Sequence, residues 1–258
     1  MKPETGGAAR LIVLLAVALL VGAGVGLLSF SLARRPAPPA VAPKPERPPD
    51  AGRAGGVVCL DPGHSPGPFP STIDPASGLD VADSGGADGE VQTNWNIAVR
   101  AKELLERKGY TVRLTRPSVD SPANLRERAD IGNACDINVR IHFDPSVHAV
   151  LFPAAGQTKS HGSASLSVGE EVSAWSRVLA EALLPFLLPL GVTRIDNDMG
   201  GSSNNAGPAY VGSVLSTVPV VVIENDPAVV RDNPSGQERA AAAIAEGIDS
   251  YFKQAGAR

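Results

Sequence analysis

The sequence is poor in several residue types, and each shortage excludes a class of protein. Only two of the 258 residues are cysteine, too few for a scaffold held by several disulfides. Cys59 and Cys135 both fall at predicted strand positions. They are therefore either two buried thiols or one disulfide bridge. No run of Lys or Arg occurs outside the N-terminal arginines and the linker after them, and the net charge is -4, so we expect no nucleic-acid partner. The composition, 43% hydrophobic and 19% charged, is typical of a globular domain with one sizeable core.

The N-terminal part of the chain predicts a membrane segment followed by a linker. Residues 11–33 carry no charge and are flanked by arginines. At about 1.5 Å per residue they would cross a hydrocarbon core of about 30 Å. We expect residues 1–10 to be cytoplasmic, and 11–33 to be a transmembrane anchor or a cleaved signal peptide. Residues 34–56 have the Pro-rich composition of an extended linker, which would hold domain 57–254 outside the cytoplasm, membrane-anchored or secreted.

The remaining residues alternate between strand and helix patterns. Short apolar runs that stop at Pro, Gly or a polar residue indicate buried strands, and apolar residues spaced three or four apart indicate helices. Pro185 and Pro189 should end or kink the third helix. The predicted strands are 57–60, 110–115, 136–142, one near 150, and 218–223, and the predicted helices are 90–108, 123–134, 170–184 and 235–252. This order predicts one α/β domain with a mainly parallel, doubly wound sheet flanked by helices.

Four side chains that could bind metal stand at strand ends or at a helix start. His64 follows the first strand, His142 ends the third, and Glu224 ends the last. Glu90 opens the first helix, where a carboxylate also has an ordinary capping role. The carboxyl ends of neighbouring strands meet at one edge of an open sheet, where ligands bind. Two histidines and one glutamate there suit catalytic zinc with one position left for water, and the other glutamate suits a general base.

The same region resembles a known family over about residues 57–252. The resemblance rests on sequence motifs that occur in the family's order: Asp61-Pro62-Gly63-His64, Glu90 with Asn96 ahead of Leu104-Leu105, Gly109 to Arg116, Leu125-Arg126-Glu127-Arg128 with Asn133, Ile141-His142, and Val222-Ile223-Glu224. They are similar to the zinc-dependent N-acetylmuramoyl-L-alanine amidases, the amidase type 3 family of peptidoglycan hydrolases.

That resemblance implies a Zn2+ ion bound by His64, Glu90 and His142, with Glu224 as the catalytic carboxylate. The implied reaction is hydrolysis of the amide bond between N-acetylmuramic acid and L-alanine in peptidoglycan, in cell-wall remodelling of the kind that autolysins perform. The implied partner is peptidoglycan or a muropeptide, and the N-terminal segment separately predicts the membrane as a partner. A monomer is the default expectation for the oligomeric state.

The chain departs from the family pattern in two places. It has Arg140-Ile141-His142-Phe143-Asp144 where the family usually has Ser-Ile-His-Ala-Asn, and Asn225-Asp226 where a Gly-Phe type pair is usual. Two alternatives to an active amidase stay open. One is a catalytically weak or inactive domain of the amidase fold with a peptidoglycan-binding or regulatory role. The other is a zinc peptidase that cuts peptide crosslinks. Arg140 shares a strand face with His142, so it either contacts a substrate carboxylate or is an ordinary solvated or salt-bridged arginine.

The long loop 65–89 carries weaker signals. Asp83-Ser84-Gly85-Gly86 is similar to the nucleophile stretch of trypsin-like serine proteases. That fold is all-β, whereas this chain alternates strands and helices, so we set this interpretation aside. Asp80, Asp83 and Asp88 lack the spacing of a calcium loop, and we therefore assign them to turns.

Overall fold

The computed structural model describes residues 55–67, 70–198 and 208–256. The predicted cytoplasmic segment 1–10 and membrane segment 11–33 lie outside the described residues, as does almost all of the predicted linker. The sections that follow concern only the described part of the chain.

A six-stranded sheet forms the centre of the domain, and a separate two-stranded hairpin lies beside it. The strands are β1 (Val57–Pro62), β2 (Thr111–Leu114), β3 (Ile137–Phe143), β4 (Ala149–Phe152), β5 (Thr158–His161), β6 (Ala164–Ser167), β7 (Arg194–Asn197) and β8 (Val220–Asn225). The central order is β2-β1-β3-β8-β4-β7, and β5 pairs with β6. Neighbouring strands of the central sheet are parallel, except that β4 runs antiparallel to β8. The sheet is therefore mixed, which modifies the prediction of a mainly parallel one.

Helices cover both faces of this sheet. They are α1 (Glu90–Arg107), α2 (Leu125–Gly132), α3 (Glu170–Leu187), α4 (Val211–Val214), α5 (Pro227–Val230) and α6 (Pro234–Gly256). Helices α1 and α3 both pack against α6, and their apolar residues share the main core with β1, β3 and β8. Helix α2 packs against α4 in a smaller cluster that contains Val81, Ala129 and Leu215.

Alternation along β3 separates an apolar face from a polar one. Ile137, Val139 and Ile141 are fully buried in the main core. The residues that alternate with them, among them Arg140 and His142, point to the opposite face because side chains alternate along a strand. This periodicity places the polar residues of the strand on the side away from α1, α3 and α6.

Helix α3 is longer than predicted. It continues through Pro185 to Leu187 and passes into a 3₁₀ turn, Leu188–Leu190. A proline in the last turn removes only one hydrogen bond from the helix, and Leu183 and Leu187 are both fully buried in the core. The segment Glu170–Leu190 is also the one stretch in the described residues long and apolar enough to span a membrane. Its buried residues belong to the domain core, so it is a core helix.

The two cysteines form one disulfide, Cys59–Cys135, which decides between the two alternatives left open by the sequence. Cys59 lies within β1, and Cys135 lies in the turn between α2 and β3. The bridge therefore ties the C-terminal end of α2 to the centre of the sheet.

Candidate metal and active site

The pairing of β1, β3 and β8 determines where the candidate residues lie. His142 and Glu224 are direct partners in the parallel β3–β8 ladder. Beyond the end of β1, the Gly63 amide donates to the Ile141 carbonyl at 2.8 Å, which holds the turn beside β3. His64 follows with φ of 58°, a left-handed conformation that is uncommon outside glycine. The turn thus brings His64 next to His142.

His64, Glu90 and His142 form a compact cluster at this edge of the sheet. Their potential ligand atoms all lie within 4.8 Å of one another. Glu90 Oε1 is 3.3 Å from His64 Nε2 and 3.2 Å from His142 Nδ1. Two imidazoles and one carboxylate are the donor set of many three-ligand zinc sites, which keep a fourth position for water or substrate. The residues present therefore fit a zinc ion.

Two glycines leave room for the imidazole rings. A Cβ at Gly63 would come within 2.4 Å of His142 Cε1, and one at Gly86 would come within 2.6 Å of His64 Cδ2. Gly86 also has φ of +71°, which disfavours any other residue. The absence of side chains at these positions allows the rings to pack directly on backbone.

Glu90 is held in place at the first turn of α1. The Ala87 amide donates to its Oε2 at 2.8 Å, and Asn94 Nδ2 donates to its Oε1 at 3.3 Å. Burial alone would raise the pKa of Glu90, but the hydrogen bonds from His142 and His64 outweigh it and hold that pKa below its usual range. Glu90 therefore faces the cluster as a carboxylate.

Asp83 orients His64 in addition to the turn role predicted for it, in which the Gly85 amide donates to its Oδ1 at 3.1 Å. Its carboxylate is buried and lies 3.0 Å from His64 Nδ1, while Arg128 Nη1 donates to the other oxygen at 2.9 Å. A carboxylate on one ring nitrogen fixes the tautomer of a metal-binding histidine and directs the other nitrogen to the metal. Here it leaves His64 Nε2 directed at Glu90. Asp80, by contrast, caps its own loop through Ser71 and Thr72.

The two histidines of the cluster have opposite electrostatic environments. Burial lowers the pKa of His64, but hydrogen bonds with Asp83 and Glu90 outweigh it and raise that pKa to about 9. Burial dominates at His142 and lowers its pKa to about 4. His142 is therefore neutral near pH 7, the form that binds metal.

Behind the cluster lies a buried group of charges centred on Asp61. Arg128 Nε donates to Asp61 Oδ1 at 2.8 Å, and Arg140 Nε donates to Oδ2 at 3.0 Å. Burial alone would raise the pKa of Asp61, but the two arginines and a hydrogen bond from Thr115 hold it far below its usual range. Because Arg128 also bonds Asp83, this charged group is continuous with His64. The salt-bridge interpretation of Arg140 is thus confirmed for one of its nitrogens.

Glu224 lies unpaired beside the cluster. Its side chain is mostly buried and, within the described residues, its carboxylate has no hydrogen bond or ion pair. Burial, reinforced by the charges of Glu90 and Asp144, raises its pKa to about 8. The surrounding cavity has a volume of about 510 Å³ and is lined by His64, His142, Glu224, Arg140 and Tyr210 among others. An acidic group whose pKa lies this close to neutral pH, next to a three-ligand cluster, is suited to exchange protons with a substrate in that cavity.

The fold and this site define a class: an α/β protein with a mixed sheet and a His/Glu/His group able to hold a metal at its carboxyl edge. The family model Amidase_3, described as N-acetylmuramoyl-L-alanine amidase, matches residues 58–250. The chain belongs to this family of peptidoglycan amidases and is an amidase-type hydrolase, so the resemblance seen in the sequence is confirmed at the level of the family. A comparison with curated proteins finds no match.

Solved structures share the fold. The N-acetylmuramyl-L-alanine amidase Ami1 from Mycobacterium smegmatis has a TM-score of 0.58 and 20% identity, covering 78% of this chain and 98% of that one. The apo form of Ami1 from Mycobacterium abscessus has a TM-score of 0.55 and 20% identity, covering 77% of this chain and 99% of that one. At this identity the likeness is evidence for the fold alone.

Proposed function

We propose that this protein is a zinc-dependent N-acetylmuramoyl-L-alanine amidase that hydrolyses the bond between N-acetylmuramic acid and L-alanine in peptidoglycan. The observation that carries the proposal is the unpaired, mostly buried Glu224 beside the cluster of His64, Glu90 and His142. Membership of the amidase family supports the choice of substrate. The cavity at this edge offers about 510 Å³ for part of a muropeptide.

Each residue has a distinct role in this mechanism. His64, Glu90 and His142 hold the zinc ion, and Asp83 orients His64. When bound there, zinc supplies Lewis-acid activation of the scissile carbonyl and of the attacking water. Glu224 accepts the proton from that water and then donates it to the departing amine of L-alanine. The departing amide nitrogen thus becomes an amine, the new lactyl carboxyl group passes its remaining proton to that amine, and the products are an ammonium and a carboxylate.

The proposed location is outside the cytoplasm. Peptidoglycan is an extracytoplasmic substrate, and the Cys59–Cys135 disulfide fits an oxidising compartment. The predicted segment 11–33 would deliver the domain there as an anchor or a signal peptide, and the Pro-rich linker would let an anchored domain reach the wall. We propose a monomer that acts in cell-wall remodelling, as autolysins do.

Two variants test the mechanism by separating metal binding from proton transfer. His142→Ala should lose most of its zinc, measured by elemental analysis. Glu224→Gln should keep its zinc, yet cleave purified peptidoglycan about 10²- to 10⁴-fold more slowly. Glu103→Gln, at an exposed position on α1, is the matched control and should match the parent in both measurements.

Mass spectrometry of the products distinguishes the competing functions. An amidase frees stem peptides that begin with L-alanine, whereas a peptidase that cuts crosslinks leaves L-alanine attached to the sugar. If Glu224→Gln cleaves peptidoglycan at the parental rate, Glu224 is not the group that transfers the proton. If the zinc-loaded parent protein binds peptidoglycan but releases no stem peptide, the protein is a binding domain and not an enzyme.

A further inference from the structure

Arg140 places a guanidinium group in the same cavity as the metal cluster. The residue lies on β3 two positions before His142, and it is 6% exposed. Its side chain lines the cavity together with His142 and Glu224. A charged group this deeply buried is costly unless it is paired, so the identity of its partners decides its role.

Only one end of the guanidinium is paired. Nε donates to Asp61, and within the described residues Nη1 and Nη2 have no hydrogen-bond partner. Asp61 is shared with Arg128, whose other partner is Asp83. Glu224 lines the same cavity but forms no ion pair with Arg140 within the described residues. The buried positive charge is therefore only partly compensated by the protein.

Gly212 leaves space for the Nη1 and Nη2 end of the Arg140 guanidinium. A Cβ at that position of α4 would lie 2.6 Å from Arg140 Nη1 and 2.8 Å from Nη2. The guanidinium thus rests on backbone at one side, while Asp61 fixes Nε at the other. The planar fork is held in one orientation before any ligand arrives, which suits bidentate recognition of a carboxylate.

We propose that Arg140 binds a carboxylate of the substrate, the α-carboxylate of the second residue of the stem peptide. This inference rests on the amidase function proposed above, which places the scissile amide at the metal cluster. Arg140 and His142 are two residues apart on one strand, a separation of about 6.6 Å. The second residue's α-carboxyl group lies one extended residue, at most about 3.6 Å, plus about two bond lengths from the scissile nitrogen. The backbone separation of the two residues is thus of the same order as the span between the two groups of the substrate.

Arg140 would therefore select stem peptides in which this carboxyl group is free. A carboxamide has the same shape, but it carries no charge and offers one oxygen instead of two to the fork. A site built to hydrogen-bond a particular group discriminates strongly against an analogue that lacks it. We expect kcat/KM to be roughly ten- to hundredfold higher for the free acid, as for hydrogen bonds to charged groups.

The test uses two N-acetylmuramoyl tripeptides, L-alanine, γ-linked D-glutamate and L-lysine, that differ only in a free or amidated α-carboxyl group on the second residue. The zinc-loaded full chain should prefer the free acid, and Arg140→Met should lose the preference mainly through slower cleavage of the acid. Arg140→Lys, which keeps charge without the fork, should show a smaller preference than the parent. Arg177→Met, at an exposed arginine on α3, should retain the parental ratio.

A merely structural role for Arg140 would slow both tripeptides equally and leave their ratio unchanged, and that result would overturn the proposal. So would a parental ratio near one, which can be measured even if Arg140→Met does not fold. If the parent cleaves neither tripeptide nor purified peptidoglycan, the amidase function fails instead. Calorimetry with the two free tripeptides, which lack the sugar, then decides the role of Arg140. Tighter binding of the acid form by the parent, with a smaller difference in Arg140→Lys, supports it, and equal binding of the two forms by the parent rejects it.

Discussion

Replacement of Asp83 by asparagine tests whether the metal cluster depends on a residue outside it. The Asp83 carboxylate lies 3.0 Å from His64 Nδ1, and its second oxygen accepts from Arg128 at 2.9 Å. Asparagine has the same shape but removes the negative charge that stabilises the Nδ1–H tautomer of His64. Loss of such an orienting group typically lowers metal affinity 10- to 100-fold, which corresponds to about 1.4–2.7 kcal/mol.

The assay is competition for zinc against a chromophoric chelator at pH 7, with parent and variant measured side by side. Asp88→Asn is the matched control, because Asp88 lies in the same loop with its side chain 94% exposed and, among the residues that the structure describes, forms an ion pair with Arg231 alone. Circular dichroism of the metal-free proteins confirms that both variants are folded. Arg128 keeps its ion pair with Asp61, so the fold should survive. Equal zinc affinity in the Asp83 and Asp88 variants would refute the role given to Asp83.

Two further predictions concern stability. Replacement of Cys59 and Cys135 by alanine opens a loop whose ends are 76 residues apart, and chain entropy predicts a loss of about 4.5 kcal/mol in the free energy of unfolding. Urea titration of parent and variant measures this loss, and an unchanged midpoint would contradict the prediction. Asp61→Asn should cost about 3 kcal/mol at pH 7, because it leaves buried arginines without their carboxylate. Since the folded-state pKa of Asp61 lies below the usual value of 3.8, its contribution is complete above about pH 4 and is lost as the pH falls further. The gap between parent and variant should therefore narrow in acid, and a gap independent of pH would count against this argument.

The elements that the sequence predicted well have a strong local pattern. Strand β8 follows from a run of apolar residues, and α1 follows from apolar residues on one face and a glycine after its end. Helix α3 was predicted to stop near Pro185, because proline usually breaks a helix. Here the proline lies in the last turn, and the buried apolar face of the helix keeps the chain helical to Leu187. The β5–β6 hairpin is largely exposed and mostly polar. Strand β5 contains no apolar residue, and the alternation of apolar and polar residues in β6 extends over only four positions, Ala164–Ser167.

The direction of β4 depends on pairing between distant segments. Strand β4 follows β3 after a short turn, and a connection that short suits antiparallel strands. In the structure, however, β8 lies between them, parallel to β3 and antiparallel to β4. No local pattern in the sequence specifies this insertion, and so the mixed character of the sheet was not predicted.

The site was predictable where residues stand at strand ends. His64, His142 and Glu224 were selected because each follows an apolar run, and the structure brings them to one edge with Glu90. Their chemical roles stay predictions. The contact of Asp83 with His64 was not predicted, because Asp83 lies in a loop with glycine and serine, where aspartate is common in turns. Its contact with His64 spans 19 residues, and only the folded loop reveals it.

The pairing of His142 with Glu224 across the β3–β8 ladder has a consequence for how such a protein can change. Insertions in the surrounding loops leave this juxtaposition intact, so evolution or an engineer can lengthen those loops to reshape the groove around the substrate. A single residue added inside either strand would instead turn every following side chain to the opposite face. The site thus tolerates insertions in the loops around it, but it does not tolerate the insertion of a residue within β3 or β8.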